Sequence, residues 1–170
     1  AGYATAAAAL QGARDIAAEV IAEDADNVAD LRAFTRATGA LEARAADESA
    51  HEGYEAYCDF SEGIARIPGH RVLAVNRGER EGRLRVRVRV DADAAVERLG
   101  RRIIRRGSAA APQLEEAVAD GYKRLIAPSL EREMRAEATA RAEADAIRVF
   151  ARNVEGLLRQ RPVRGVRVIA

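Results

Sequence analysis

The residues best suited to chemistry in this sequence are arginines concentrated between positions 83 and 106. That segment contains nine arginines and three acidic residues, so it carries six positive charges net, whereas the whole chain carries +1. The planar guanidinium group binds phosphate and carboxylate oxygens through paired hydrogen bonds. The segment therefore predicts an anion-binding surface. Its candidate nucleic-acid-binding residues are Arg83, Arg85, Arg87, Arg89, Arg101, Arg102, Arg105 and Arg106.

Two interpretations of this arginine segment stay open at the level of sequence. The side chains form either a solvated face paired with neighbouring acids, or a surface that contacts nucleic acid or an acidic partner. No aromatic residue lies between Phe60 and Tyr122, so the segment offers no ring for base stacking. Contact with nucleic acid is therefore expected to be weak, directed at phosphates and independent of base sequence. RNA, single-stranded DNA and duplex are all candidate ligands.

A second group of reactive residues lies between positions 51 and 70. His51, Cys58 and His70 are the candidate soft metal ligands, but their spacing matches no zinc pattern. Asp59, Glu62 and His70 are the candidate acid–base group, although nothing in the sequence indicates a cleft or shifted pKa values. The chain has no glycine-rich phosphate loop. We therefore predict no catalytic residue, no metal and no cofactor, and a protein that is not an enzyme.

The elements that must position the arginines follow from periodicity. Apolar residues and arginines alternate over 84–90, which indicates a strand with one apolar and one cationic face. A strand needs a partner for its backbone groups, and residues 40–46 and 71–76 are the candidates. A helix is predicted to run from Asp91 through Arg106, where the later arginines would also complement the negative end of the helix dipole.

The remaining segments are mostly helical in pattern, with apolar residues at intervals of three and four. These predicted helices cover 4–24, 27–38 with Asp26 or Asn27 as N-cap, 70–77 with a strand as the alternative, 112–127, and 129–160 after a kink or fresh start at Pro128. Tyr54, Tyr57 and Phe60 are interpreted as ring anchors of the core. The predicted fold class is mainly α, a multihelical scaffold with long C-terminal helices and a small two-stranded β element.

Composition limits the class of protein further. Apolar residues make up 48% of the chain and aromatic residues only 4%, so the core must consist largely of close helix contacts. No apolar run is long enough for a membrane span, which predicts no membrane partner. A single cysteine, Cys58, rules out an internal disulfide and favours a cytoplasmic location.

The predicted domains are a helical module with the β element over 1–110, a long-helix connector over 111–165, and the truncated start of a following domain over 166–170.

Four motifs occur in order along the chain. They are Gly12-Ala13-Arg14-Asp15-Ile16-Ala17-Ala18-Glu19; the run Tyr54-x-x-Tyr57-x-Asp59-Phe60-Ser61-Glu62, Ile67-Pro68-x-His70-Arg71-Val72-Leu73-Ala74 and Arg77-Gly78-Glu79-x-Glu81-Gly82; Ala127-Pro128-Ser129-Leu130-Glu131-x-Glu133; and Arg141-Ala142-Glu143-x-x-Ala146-Ile147-x-Val149-Phe150-x-x-Asn153. Together they resemble the bacterial Tex family of transcription accessory proteins. The chain departs from the family pattern at Cys58, Gly63 and Gly69, where that pattern has an aromatic residue, a proline, and a serine or proline.

The resemblance implies a helical module in the N-terminal half of a longer protein. In the family an RNase-H-like domain follows, then helix-hairpin-helix elements and an RNA-binding OB-fold. No catalytic or base-binding residue of the family maps onto this sequence. The implied function is a scaffold fragment of a transcription accessory protein, which orients nucleic-acid-binding domains and adds nonspecific phosphate contacts. The alternatives are a protein–protein interaction module that contacts the transcription machinery, or part of a nuclease-like enzyme whose active domain is absent.

Overall fold

The computed structural model describes residues 5–47, 53–105 and 107–161, and these are predominantly helical. The helices are α1 (Ala6–Glu23), α2 (Ala25–Thr38), α3 (Gly69–Arg80), α4 (Ala92–Ile103), α5 (Ala111–Asp120) and α6 (Ala127–Leu158). The strands are β1 (Ala40–Ala45), β2 (Asp59–Gly63) and β3 (Leu84–Arg89). The predicted mainly α class with a long C-terminal helix and a small β element is confirmed.

Side-chain caps fix where several helices begin. Thr5, Asp24 and Asp91 each accept a hydrogen bond from the backbone N–H three residues further on, at 2.9–3.1 Å. Such caps satisfy donors that the first turn of a helix leaves unpaired. The prediction of Asp26 or Asn27 as the cap of α2 is therefore wrong, because the chain turns into the helix two residues earlier, at Asp24.

The sheet has three antiparallel strands in the order β2-β1-β3. Residues 40–45 are the partner of β3, and residues 71–76 belong to α3. The sequence predicted two strands, and β2 was missed because its five residues lie within the motif interpreted as ring anchors. The central position of β1 gives it hydrogen-bonded neighbours on both sides.

The two faces of the sheet differ in character. The inner face is mainly apolar, and Leu41, Ala43 and Leu84 are buried against α3 and the first half of α6. Glu62 of β2, opposite Leu41, is its charged residue and pairs with Arg71 of α3. The outer face carries Glu42 and Arg44 of β1, Asp59 and Ser61 of β2, and Arg85, Arg87 and Arg89 of β3. The sheet therefore presents the strand arginines away from the core.

A second apolar cluster lies among α1, α2, α4 and α5. Its most deeply buried side chains include Leu31 of α2, Leu99 of α4 and Val118 of α5. Ala18 of α1 approaches the backbone at Gly121 so closely that a Cβ there would lie 2.9 Å from the Ala18 carbonyl oxygen. Small residues thus allow the close helix contacts that the alanine-rich composition predicts.

The helical backbone continues without a break from α5 to α6. A π-helical segment, Gly121–Ile126, joins them, and Pro128 lies in the first turn of α6. Because proline lacks a backbone N–H and crowds the preceding turn, the wider π segment accommodates it without ending the helix. No helix in the described part of the chain combines the length and apolar character needed to cross a membrane.

The two halves of α6 have different surroundings. The first half is anchored in the core by Leu130, Met134, Ala138 and Ala142, at intervals of four residues. The large apolar residues of the second half are 51% to 81% exposed: Ile147, Val149, Phe150, Leu157 and Leu158. The division into 1–110, 111–165 and 166–170 stays a prediction, and 166–170 lies outside the described residues.

We expect Gly39→Ala, at the turn between α2 and β1, to lower the free energy of unfolding. A Cβ at this position would lie 2.5 Å from the Thr35 carbonyl oxygen and 3.3 Å from Val88 Cγ1. Relieving such contacts in a packed interior costs about 1–3 kcal/mol. Urea denaturation measures the change.

Gly156→Ala is the matched control, because nothing lies within 4 Å of a Cβ there. It should raise helix stability by about 0.5–1 kcal/mol. Equal effects of the two substitutions would contradict the close packing at Gly39.

Candidate nucleic-acid interface

The strand arginines form a row on the outer face of the sheet. Arg85, Arg87 and Arg89 are exposed and follow one another at every second residue of β3. Neighbours two residues apart on a strand are separated by about 7 Å. Arg44 of β1 lies opposite Arg85 and extends the cationic surface by one strand. We call these four residues the sheet arginines.

A buried carboxylate holds two of the sheet arginines in place. Glu42 lies beneath the row, with its side chain only 4% exposed. Arg87 donates to Glu42 Oε2 from Nη2 at 3.0 Å and from Nε at 3.1 Å. Arg89 donates from Nε to Glu42 Oε1 at 2.5 Å. The two arginine side chains nevertheless stay 65% and 61% exposed, so they remain open to solvent.

The same contacts control the ionisation of Glu42. Burial opposes ionisation of the carboxyl group, but hydrogen bonds from Arg89 and Arg87 outweigh it and hold the pKa of Glu42 below its ordinary value of 4.5. A carboxyl group whose pKa is lower in the folded state than in the unfolded state stabilises the fold at neutral pH.

We expect this stabilisation to disappear in acid. It is complete above the pKa of the unfolded carboxyl group and is lost as the pH falls through the lower folded pKa. The difference in unfolding free energy between wild type and Glu42→Gln should therefore shrink from about pH 7 to about pH 3, which urea denaturation measures. A difference independent of pH would contradict the ionised state of Glu42.

The other sheet arginines are held differently: Arg44 donates from Nη1 to the backbone oxygens of Ala43 and Phe60, each at 3.1 Å. Arg44 pairs with Asp59 at 2.7 Å, and the Asp59 side chain is 88% exposed. Exposed pairs of this kind contribute little and exchange readily with solvent. Arg85 forms no ion pair with the residues that the structure describes. Arg83 precedes the strand, and its carbonyl oxygen accepts from the Ala46 N–H at 2.8 Å.

The later arginines belong to a separate element. Arg101 pairs with Glu97 one turn earlier on α4, and Arg102 donates from Nε to Asn27 Oδ1 at 3.3 Å. The prediction that this helix continues through residue 106 is wrong. It ends at Ile103 because Ile104 adopts an extended backbone and packs against the second apolar cluster. Arg105 is exposed beyond the helix end, and Arg106 lies outside the described residues.

Sequence reasoning missed two acidic residues that organise the interface. One is Glu42, whose position among apolar residues of β1 was the only available signal. The other is Glu131 of α6, which accepts the Val88 N–H at 2.9 Å. Val88 lies on β3, an edge strand, so this carboxylate covers a backbone donor that would otherwise be open to another strand.

Comparison with known proteins places this arrangement in a family. A family model described as Tex central region-like matches residues 1–150. The chain belongs to the Tex family. It is 38% identical over 165 residues to the protein YdcI of Bacillus subtilis (strain 168), covering 95% of this chain and 23% of that protein. The Tex-family relative named Protein tex, from Bordetella pertussis, is 35% identical over 171 residues, covering 91% and 22%.

A human relative extends the Tex-family similarity beyond bacteria. S1 RNA-binding domain-containing protein 1 of Homo sapiens is 32% identical over 170 residues, which cover 91% of this chain and 17% of that protein. The chain thus spans 17% to 23% of the length of these relatives. The resemblance inferred from the motifs is confirmed.

The Tex-family motifs supply contacts that hold the fold together. In the third motif, besides the contact of Glu131, Glu133 accepts from Arg32 Nε of α2 at 2.5 Å. In the second motif, the Tyr54 hydroxyl donates to Glu81 at 2.8 Å, and Glu79 pairs with Arg135 of α6. These residues connect the sheet, α2 and α3 to the first half of α6.

The candidate acid–base residues of the second Tex-family motif, which the sequence analysis did not predict to be catalytic, are not brought together as a reactive set. Asp59 pairs with Arg44, and Glu62 pairs with Arg71 at 2.6 Å. His70 lines an apolar groove between α3 and α6 with Leu73 and Phe150 among its neighbours. His51 lies outside the described residues. The residues that the structure describes contain no group of three or more His, Cys, Asp or Glu that could hold a metal.

The predicted ring anchors contact the sheet side of the core. Tyr54, Tyr57 and Phe60 are partly buried against the first apolar cluster. Tyr57 and Phe60 meet edge to face, with ring centroids 5.4 Å apart. Their interpretation as core anchors is confirmed.

Proposed function

We propose that this Tex-family module is a scaffold that orients nucleic-acid-binding domains of a transcription accessory protein and itself contacts phosphates through the sheet arginines. The observation that carries the proposal is the pair Arg87 and Arg89 held by buried Glu42. A guanidinium group that is already oriented loses little conformational freedom when it binds a phosphate. Its exposed N–H groups are available as donors to an anionic oxygen.

The proposed contact is weak and independent of base sequence. The outer face of the sheet carries four arginines and two acidic residues, so its net charge is modest. It has no aromatic side chain for stacking, and phosphate contacts alone do not read sequence. Arg83, Arg101, Arg102, Arg105 and Arg106 are proposed as secondary contacts. In this proposal the module catalyses no reaction, binds no cofactor and works in the cytoplasm.

The scaffold role is supported by the two halves of α6. The first half joins the sheet and α2 into the core through Leu130 and Met134, and through the ion pairs of Glu133 and Glu137 with α2. The second half projects from the core. Relatives bearing the names Transcriptional accessory protein Tex and S1 RNA-binding domain-containing protein 1 are consistent with a role near transcribed nucleic acid.

The experiment compares two variants with the same change in net charge. One replaces Glu42, Arg85, Arg87 and Arg89 by glutamine, which removes the arginines without leaving a buried carboxylate unpaired. The other replaces Arg101 and Arg102 by glutamine. Fluorescence anisotropy with labelled single-stranded RNA, single-stranded DNA and duplex, each over a range of salt concentrations, gives the slope of log affinity against log salt.

We expect the first variant to lose about 2 units of slope on single strands, since each phosphate contact contributes about 0.7. The second variant should lose less than about 1 unit. Circular dichroism checks that both variants are folded. If both variants lost the same amount of slope, binding would depend only on the net charge of the protein. If the slope of the first variant equalled that of the wild type, the sheet arginines would not contact the nucleic acid.

A second candidate function is favoured by the exposed half of α6. Ile147, Phe150, Val154 and Leu157 follow intervals of three, four and three, the spacing of a helix–helix seam. In this alternative the binding partner is a helix of the transcription machinery that has an apolar face. Purified RNA polymerase should be retained by the wild type and by the sheet variant, and lost with Ile147→Glu/Phe150→Glu. Failure of the wild type to retain polymerase would contradict this alternative.

A further inference from the structure

A cleft of about 280 Å³ opens beside β3, between the edge of the sheet and the junction of α5 with α6. Val88, Val90 and Leu130 form part of its floor. Arg87 and Arg89 of the sheet, and Lys123 of the π-helical segment, lie at its walls. Such π segments are uncommon within helices and often occur at functional sites. The cleft is therefore continuous with the proposed phosphate-binding surface.

Two residues that line this cleft carry hydroxyl groups with no hydrogen-bond partner among the described residues. Thr35 and Tyr122 both line it, and these residues are only 3% and 4% exposed. No hydrogen bond to either side-chain hydroxyl is formed within the described part of the chain. Neither oxygen is fully buried, because no fully buried side-chain oxygen among the described residues is without a partner. Buried polar groups are normally paired, so two open hydroxyls here indicate a polar ligand.

The charges around the cleft define the ligand class. Arg87, Arg89 and Lys123 provide three positive charges, which the carboxylates of Glu42, Glu131 and Asp91 balance. Both arginines already engage Glu42, and Asp91 accepts from the Ala94 N–H. Lys123 forms no ion pair with the residues that the structure describes, so it is the cation left for a ligand. One oxygen of Glu131 is already engaged by the Val88 N–H. Burial and the nearby Asp91 carboxylate raise the pKa of Tyr122, so its hydroxyl stays a donor at neutral pH. Cationic groups with hydroxyl donors are the typical surroundings of a bound phosphate.

We propose that this cleft binds a phosphate group of the nucleic acid, with Thr35 and Tyr122 as hydrogen-bond donors and Lys123 as the cation beside them. This inference rests on the proposed function and adds a defined site to it. The phosphate is either a terminal phosphomonoester or an internal diester. The shared chemistry is a tetrahedral anion, whose oxygens accept from both hydroxyls while the strand continues over the sheet arginines.

The test removes the hydroxyls without changing any charge. Thr35→Val/Tyr122→Phe is compared with the control Thr38→Val/Tyr57→Phe, which removes one hydroxyl from the same helix and one from a distant ring. Anisotropy is measured with a short single-stranded RNA carrying a 5′-phosphate and with its 5′-hydroxyl form. Both variants are first checked by thermal unfolding.

We expect the cleft variant to lose about tenfold or more in affinity, because hydrogen bonds to charged groups are the stronger class. Its salt slope should match the wild type, whereas Lys123→Gln should lower the slope by about 0.7. A loss confined to the 5′-phosphate RNA identifies a terminal phosphate, and an equal loss on both RNAs identifies an internal one.

Wild-type affinity in the cleft variant would overturn this inference and leave the sheet arginines as the interface, with the cleft filled by water. Absence of salt-dependent binding in the wild type would overturn both the proposed function and the cleft. The two failures are therefore distinguishable. An effect of the control variant equal to that of the cleft variant would also contradict the assignment.

Discussion

Replacing Arg87 and Arg89 together by alanine is expected to lower the free energy of unfolding by about 1.5–3 kcal/mol. The reason is the carboxylate that remains. Glu42 is 4% exposed and receives its charge-balancing hydrogen bonds from these two arginines. Removing both takes away the charge-assisted hydrogen bonds of Glu42, which is more destabilising than losing an exposed ion pair. The carboxylate is also uncovered, so the loss stays below that of a charge left buried without a partner. Urea denaturation at neutral pH measures the loss.

Adding Glu42→Gln to that variant should recover part of the stability, because the carboxylate that lost its partners is then gone. Arg101→Ala/Arg159→Ala is the control, since the carboxylate partners Glu97 and Glu155 are 64% and 56% exposed. It should change the unfolding free energy by less than about 1 kcal/mol. A large loss in the triple variant would show that the arginines stabilise the fold by some route other than Glu42.

Leu130→Ala is expected to lower the free energy of unfolding by about 2–5 kcal/mol. Leu130 is 2% exposed and lies where α6 enters the core. The same substitution at Leu157, which is 64% exposed on the projecting half of α6, should change stability by less than about 0.5 kcal/mol. Comparing Leu130→Ala with Leu157→Ala tests, with the same chemical change, whether the two halves of α6 contribute differently to the free energy of unfolding.

Comparable losses at Leu130 and Leu157 would contradict this division of α6. They would mean that the projecting half is covered in solution, for example by self-association. Repeating the denaturation at several protein concentrations separates these cases, because a stability gained through association depends on concentration.

The sheet shows which parts of the fold periodicity alone could predict. The alternation over 84–90 predicted both β3 and its cationic outer face, because side chains of a strand alternate between faces. Residues 40–46 were one of two candidate partners for this strand, and the structure shows them as β1, Ala40–Ala45. In contrast, β2 is a short edge strand, Asp59–Gly63, whose inner residues are only partly buried. Its alternation was too weak to separate it from a loop.

The role of Glu42 shows what periodicity could not supply. A charged residue at that place in β1 predicts an exposed side chain on the arginine face. It is buried because Arg87 and Arg89 on the neighbouring strand cover it, and that depends on the register of β1 against β3. Register is fixed by tertiary packing of the sheet, so single-sequence reasoning predicted the arginines but missed the acid that orients two of them.

The long helix illustrates a similar limit. Apolar spacing predicted one stripe along 129–160, and it does not distinguish the buried part around Met134 from the exposed part around Phe150. Periodicity reports that one face is apolar and says nothing of what covers it.

The residue at which α4 ends also depends on tertiary contact, because Ile104 leaves the helix and packs against the second apolar cluster.

The most direct test of phosphate contact at the sheet arginines is an NMR titration that follows the arginine Nε–H signals with a single-stranded oligonucleotide. We predict that the signals of Arg85, Arg87 and Arg89 shift together on addition of the ligand and return when salt is added. Those of Arg124 and Arg159, which are paired within their own helices, should stay in place. Shifts at the helix arginines with none on β3 would contradict the account.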